Sequence, residues 1–234
     1  MKVKGLIFDY GGTLDTGGNH WGKVLWHAYE RHGMPVTEEQ FREAYVHGER
    51  TLGRNPIVKP HFTFRETLEH KLRLQFDYLS SAGACLNDDM LNVLLDDVYA
   101  QTLCHTAHSV DVLNSLIHRG MPMVLVSNFY GNIQTVLSEF GFNDLFLTII
   151  ESAVVGVRKP DPQIFRLGVD ALGLLPEEVL VVGDSMDKDI VPARIIGCRT
   201  VWIKGEPWND APVDRSSADY IVSDLEELLK NNII

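Results

Sequence analysis

The sequence predicts an α/β protein: a mostly parallel sheet with helices on both faces, and an all-helical unit inserted after the first strand. Three observations predict it. The chain opens on an apolar run, VKGLIFDY, whose hydrophobic residues are consecutive rather than alternating, as in strands buried on both faces. From about Asn19 to Leu103 helical periodicity recurs with no convincing strand. Beyond it, helices and strands alternate to the end of the chain, the pattern of a parallel sheet built with crossovers.

The elements follow in order. Four helical segments fill the insert: GKVLWHAYERHG, TEEQFREAYVHGERTLG, FRETLEHKLRLQFDYLSS and NDDMLNVLLDDVYAQTL. Thr37 followed by Gln40 predicts a capping box, and Gly33, Gly53 and Gly83 stand where helices can end. The second half reads as helix SVDVLNSLIHRG, strand PMVLVSN, helix NIQTVLSEFG, strand LFLTII, helix DPQIFRLGVDALG and strand EVLVVGD. Helix KDIVPARIIG, strands CRTVWI and ADYIVS, and helix DLEELLKN complete it. Pro192 inside KDIVPARIIG requires that helix to start late or bend. The simplest architecture joins residues 1–16 and 106–234 as one α/β core and makes 17–105 a helical cap. The connections near residues 15–20, with glycines at 17 and 18, and near 103–109 are then the places where the cap can hinge.

Composition bounds the function. Of 234 residues, 45% are hydrophobic and 23% charged, enough to bury a core. The formal net charge of −11 disfavours nucleic acid as a partner. No run approaches the roughly 18 apolar residues of a membrane span. The first apolar stretch is too short for a secretory signal. Cys85, Cys104 and Cys198 are few, odd in number and far apart, which fits reduced thiols and a cytoplasmic location.

In open α/β sheets ligands bind beyond the carboxyl ends of the strands. Four strand ends carry suitable chemistry: Asp9 after the first strand, Ser127 and Asn128 after PMVLV, Arg158 and Lys159 after LFLTII, and Asp184 after EVLVV. Two acids can hold Mg²⁺, which prefers oxygen ligands and bridges to phosphate. A lysine and a hydroxyl can orient and neutralise phosphate oxygens. A carboxylate can attack phosphorus to give an aspartyl-phosphate.

Taken together these residues resemble the haloacid dehalogenase-like (HAD) hydrolases, over almost the whole chain. IFDYGGTLD matches the family's first motif, D-x-D-x-T, with Asp9 and Thr13; VLVSN supplies the second with Ser127. Lys159 before Pro160 in VRKPDPQIF matches the third, and GDSMDKD the fourth, with Asp184 and Asp189. The resemblance implies a Rossmann-like core with a C1-type helical cap and a small phosphorylated substrate. It implies Asp9 as nucleophile, and a phosphate pocket of Gly12, Thr13, Ser127, Asn128 and Lys159. Mg²⁺ would be held by Asp9, the Gly11 carbonyl and Asp184, with Asp189 beside Lys159 or the metal. Asp15 is expected to shape the loop into the cap. His20, Trp21, Trp26 and His27 stand near the cap entrance.

Gly11 departs from the pattern. Phosphatases of the family carry there an acid that protonates the leaving group and then activates water, a contribution of about 10²- to 10⁴-fold. Dehalogenases carry a tyrosine, which here is Tyr10, one position early. Phosphonatases carry an alanine and recruit a cap lysine, for which Lys23 is a candidate. The sequence therefore predicts a Mg²⁺-dependent phosphatase with weakened acid/base catalysis. The alternatives are phosphonate or halide cleavage, or a catalytically weak phospho-ligand binder. His20 is a candidate to supply the proton.

Overall fold

The computed structural model describes residues 2–209, 214–230 and 233–234. Among them, strands β1 (Gly5–Phe8), β2 (Met123–Ser127), β3 (Thr148–Glu151), β4 (Val179–Gly183), β5 (Arg199–Ile203) and β6 (Tyr220–Val222) form one sheet. All neighbours are parallel, in the order β3-β2-β1-β4-β5-β6. The chain lays β2 and β3 to one side of β1, then returns to lay β4, β5 and β6 on the other. Strand order thus reverses between β1 and β4, so the loops leaving those two strands part and open a crevice. Every residue of β1, β2 and β4 is buried, which is why their sequences read as unbroken apolar runs.

The two faces of the sheet have different covers. Ile7, Val124, Val126 and Val181 face one side, where they pack with Phe165 and Val169. Leu6, Phe8, Leu125 and Val182 face the other, in an apolar core that runs without a break into the cap through Leu25, Phe41 and Leu72. The cap is built on α1 (Trp21–Arg31), α2 (Glu38–Arg54), α3 (Phe64–Ser81) and the first half of α4 (Asp88–His118).

The capping box at Thr37 forms: its hydroxyl accepts from the Gln40 amide at 3.3 Å, and the Gln40 side chain accepts from the Thr37 amide at 2.9 Å. Gly33 and Gly83 follow helix ends, whereas α2 runs through Gly53 to Arg54. The largest difference from the sequence reading is α4. The helices expected over NDDMLNVLLDDVYAQTL and SVDVLNSLIHRG are one 31-residue helix, because no Gly or Pro interrupts residues 88–118. The Ser109 hydroxyl donates to the Leu14 carbonyl at 2.7 Å and ties this helix to the loop after β1. The second connection between cap and core is therefore a continuous rod and not a loop.

Shorter elements complete the chain: α5 (Ile133–Glu139), α6 (Ser152–Val155), α7 (Gln163–Leu172), α8 (Val191–Ile195) and α9 (Glu227–Lys230). Helix α8 does start late, with Pro192 in its first turn, and a π-helical turn over Met186–Ile190 precedes it. The last residue of the expected helix DLEELLKN lies outside the described residues. No helix among the described residues is long and apolar enough to cross a membrane.

Candidate active site

The crevice predicted by topology holds the predicted acids. Asp9 follows β1, and its amide donates to the Val182 carbonyl of β4 at 3.0 Å, which locks the two strand ends together. Lys159 arrives from the loop after α6, and its ammonium sits between Asp9 Oδ1 and Asp189 Oδ1, the latter at 2.7 Å. All three side chains are buried. Burial alone would lower the Lys159 pKa, but Asp189 and Asp9 beside it raise it above the ordinary lysine value.

Thr13 reaches back from the loop, its hydroxyl 2.9 Å from Asp9 Oδ2 and 3.4 Å from Asp184 Oδ1. Both oxygens of Asp9 are thereby oriented. Asp189 is held at each end, by Lys159 and by the Ser185 amide at 3.0 Å. Burial, opposed by Lys159, pushes its carboxyl up to about 6. Asp184 is pushed well above the usual carboxylate range by burial and then by the charges of Asp9 and Asp189.

One oxygen from each of Asp9, Asp184 and Asp189 lies within 4.8 Å of the others. Three crowded, desolvated carboxylates against one lysine are an unfavourable arrangement that a divalent cation relieves, so the donor set fits a hard metal ion.

The loop residues explain the glycines of the motif. Gly12 has φ +100°, and a Cβ on it would lie 2.5 Å from the Asp184 carboxylate, so both conformation and space demand glycine. At Gly11 the opposite holds: a Cβ would meet only Trp21 Nε1, at 3.9 Å. The place for a second acid is open and no side chain fills it.

Asp15 shapes this loop, accepting from the Gly12 amide at 2.7 Å and from Trp21 Nε1 at 3.0 Å. Burial pushes its carboxyl up to about 7, against the opposing pull of the Gly12 hydrogen bond. Asn128 Oδ1 accepts from the Lys159 amide at 3.0 Å, and its Nδ2 donates to the Lys159 carbonyl at 2.9 Å. It lines the cavity, yet its amide is engaged in positioning the lysine. Ser127 is buried at the end of β2, two residues past Leu125, the register partner of Phe8.

Above the strand ends, between core and cap, lies a cavity of about 700 Å³ that opens to solvent on one side. Asp9, Gly11, Asn128, Lys159, Asp184 and Asp189 line its floor, whereas Gly12, Thr13 and Ser127 lie beneath the surface. Five residues that sequence reasoning did not single out, Tyr45, Glu49, Lys71, Tyr130 and Trp208, shape its upper wall. Lys71 of α3 pairs with Glu49 of α2 at 2.7 Å, and the Tyr130 hydroxyl donates to the other Glu49 oxygen at 2.9 Å. Burial opposes the charge on Lys71, but Glu49 and Tyr45 raise its pKa. Trp208, from the loop after β5, packs against His20 and Tyr45 with ring centroids 5.2 and 5.0 Å away, and Arg42 covers it at 3.9 Å. Gly22 leaves room for it, since a Cβ there would be 2.1 Å from the indole. The one available signal was the 22-residue interval from Glu49 to Lys71, which carries no periodicity of its own.

The aromatic residues near the cap entrance divide. Trp21 and His20 line the cavity. Trp26 packs on Phe41 in the cap core, and His27, which does not line the cavity, reaches Glu206 at 2.6 Å and Glu30 at 3.0 Å. His20 caps α1, its Nδ1 accepting from the Gly22 amide at 3.0 Å. Burial and then the charge of Lys188 push it down to about 4. It is neutral near pH 7 and, with Nδ1 accepting from Gly22, presents an Nε2–H donor. Tyr10 is wholly buried between Phe129 and Phe142, and Lys23 pairs with Glu38 and Glu206. Neither lines the cavity.

A family model described as hydrolase, haloacid dehalogenase-like hydrolase, matches residues 3–197. A phosphoserine phosphatase of Thermus thermophilus is 36% identical over 111 residues, 47% of this chain and 44% of that protein. A glyceraldehyde 3-phosphate phosphatase of Pyrococcus furiosus is 35% identical over 38% of this chain and 37% of its own length. The chain thus spans less than half the length of these two curated relatives. A phosphoglycolate phosphatase of Vibrio vulnificus matches at 27% identity over 98% of this chain and 96% of its own. Among solved structures, a dehalogenase superposes with a TM-score of 0.64 at 16% identity, covering 97% of this chain and 96% of its own. A predicted phosphoglycolate phosphatase of Haemophilus somnus gives 0.59 at 22%, covering 99% and 98%. These two likenesses bear on the fold.

Proposed function

As this chain belongs to the haloacid dehalogenase-like hydrolases, we propose that it is a Mg²⁺-dependent phosphatase of a small phosphorylated metabolite. The observation that carries the reading is the buried Asp9, Lys159 and Asp189 with the half-buried Asp184 at the floor of the cavity. Phosphatase names among its relatives support it.

Asp9, the Gly11 carbonyl and Asp184 would hold the cation, with Asp189 beside them. When bound, the ion supplies charge neutralisation of the phosphoryl oxygens. Thr13 and Lys159 fix the Asp9 carboxylate, which attacks phosphorus as the bond to the leaving oxygen breaks. Lys159 stabilises the phosphoryl oxygens by charge, above Ser127 and the Gly12–Thr13 segment, which lie just beneath the floor. Water then hydrolyses the aspartyl-phosphate. The leaving group departs with the bonding pair and finds no carboxyl at Gly11 to protonate it. Turnover is accordingly slow and favours good leaving groups, aryl and acyl phosphates over alkyl ones.

Phosphate release from an aryl phosphate with and without Mg²⁺ tests the reading, together with calorimetric Mg²⁺ titration of the native protein and Asp184→Asn. Mg²⁺-dependent release and a weakening of the ion by about tenfold or more in the variant are expected. Release that ignores Mg²⁺, or an unchanged affinity, removes the metal site.

A further inference from the structure

The cap side of the cavity is built for more than closure. Its volume of about 700 Å³ lies in the range of sites that enclose whole organic ligands, and a two- or three-carbon chain would leave most of it as solvent. Trp21, Tyr45, Tyr130 and Trp208 line it, so a planar ring finds apolar faces there. On the cap side Lys71 and His20 offer N–H donors. Lys71 has three N–H groups, and its ammonium lies 2.7 Å from Glu49 and 5.7 Å from the ring centres of both Trp21 and Tyr130. His20 adds an Nε2–H, since its Nδ1 already accepts from Gly22.

Charge decides between the two kinds of acceptor these donors can serve. The Lys71 charge is already matched by Glu49. A carboxylate on the leaving group would lie against Glu49, whose charge already answers that of Lys71, and like charges so placed repel. A carbonyl or hydroxyl accepts from Lys71 with no such cost.

Resting on the phosphatase reading, we propose that this wall is a subsite for an uncharged planar ring carrying a carbonyl or hydroxyl acceptor. The preferred substrates are then phosphate esters of neutral, ring-bearing alcohols rather than short phosphorylated carboxylic acids. Lys71 and Glu49 act as a pair: the lysine recognises the acceptor, and the glutamate excludes a second anion.

The test uses two esters that differ mainly in charge, 4-acetylbenzyl phosphate and 4-carboxybenzyl phosphate, with phosphoglycolate as the small carboxylated probe. The native protein should turn over the acetyl ester with kcat/KM about tenfold or more above both others. In Glu49→Gln the discrimination against the carboxybenzyl ester should collapse or invert, because Lys71 is left without its counter-charge. Equal rates for the benzyl pair, or a preference for either carboxylate, in the native protein overturns the proposal whatever the variant does. Saturation-transfer NMR of the two product alcohols reads the subsite without turnover. If no ester is hydrolysed the phosphatase reading falls, while selective binding of 4-acetylbenzyl alcohol still sustains the subsite and equal binding sinks it.

Discussion

The floor and the roof of the cavity are built by opposite means. On the floor, Asp9, Asp184 and Lys159 are charged groups placed within one or two residues of a strand end or in the loop that faces it, fixed by strand pairing. The roof is assembled from side chains of different helices and one loop: Glu49 from α2, Lys71 from α3, Trp208 from after β5. The floor concentrates carboxylates in a set that suits a cation, whereas the roof neutralises its lysine internally. The difference shows that strand pairing alone fixes the floor, whereas the roof depends on how separate helices and a loop pack together.

The sharpest way to break this division is at the floor. Asp9→Asn should lower phosphate release by at least about 10⁴-fold and abolish any phosphoenzyme seen by mass spectrometry of a quenched reaction. Activity retained within an order of magnitude would move the nucleophile elsewhere. Next comes Gly11→Asp, where the space is open up to Trp21. Alkyl phosphates should gain about 10- to 10²-fold in kcat and aryl phosphates much less, part of what a positioned acid contributes. Native protein that already turns over both classes equally fast would show that another group handles the proton.

At the roof, Gly22→Ala forces Trp208 out of its slot. Overpacking of this kind should cost about 2–3 kcal/mol in denaturant melts and loosen the seat of the cap on the β5 loop. An unchanged midpoint would mean that the indole contributes little to that seat.

The smallest expected effect is a pH slope. His20 has a folded-state pKa lowered to about 4 from an ordinary 6.5, so the unfolded chain binds the proton more tightly. Its contribution is fully present above pH 6.5 and is lost as pH falls toward 4. His20→Asn keeps the N-cap and lacks this slope, so at pH 5 the variant should gain about 1–2 kcal/mol relative to its difference at pH 7.5. Parallel stability curves would place His20 in a more solvated position.

Much of the floor was legible because strand ends are legible. An apolar run that stops at a charge, as in VVGD or LIFD, marks both the strand and the residue delivered at its edge. The capping box at Thr37 was equally local. The single helix α4 was not, since a change in texture near Leu103 looked like a boundary although no residue there breaks a helix. Asn128 was read as a ligand for phosphate because it ends a strand. Its hold on the Lys159 backbone needed a loop 31 residues away to come beside it.

By itself the sequence determined the order of strands and helices, the acids and lysine at the sheet edge, and the absence of a side chain at residue 11. Those features are set by local propensity and by burial along one strand. Only the tertiary structure decided that the space beside Gly11 is open, that His20 is held neutral, and that Lys71 meets Glu49 under an aromatic roof. The physical reason is that a pKa and a pocket wall depend on desolvation and on charges contributed by elements distant in the chain, and no periodicity records which of them will meet.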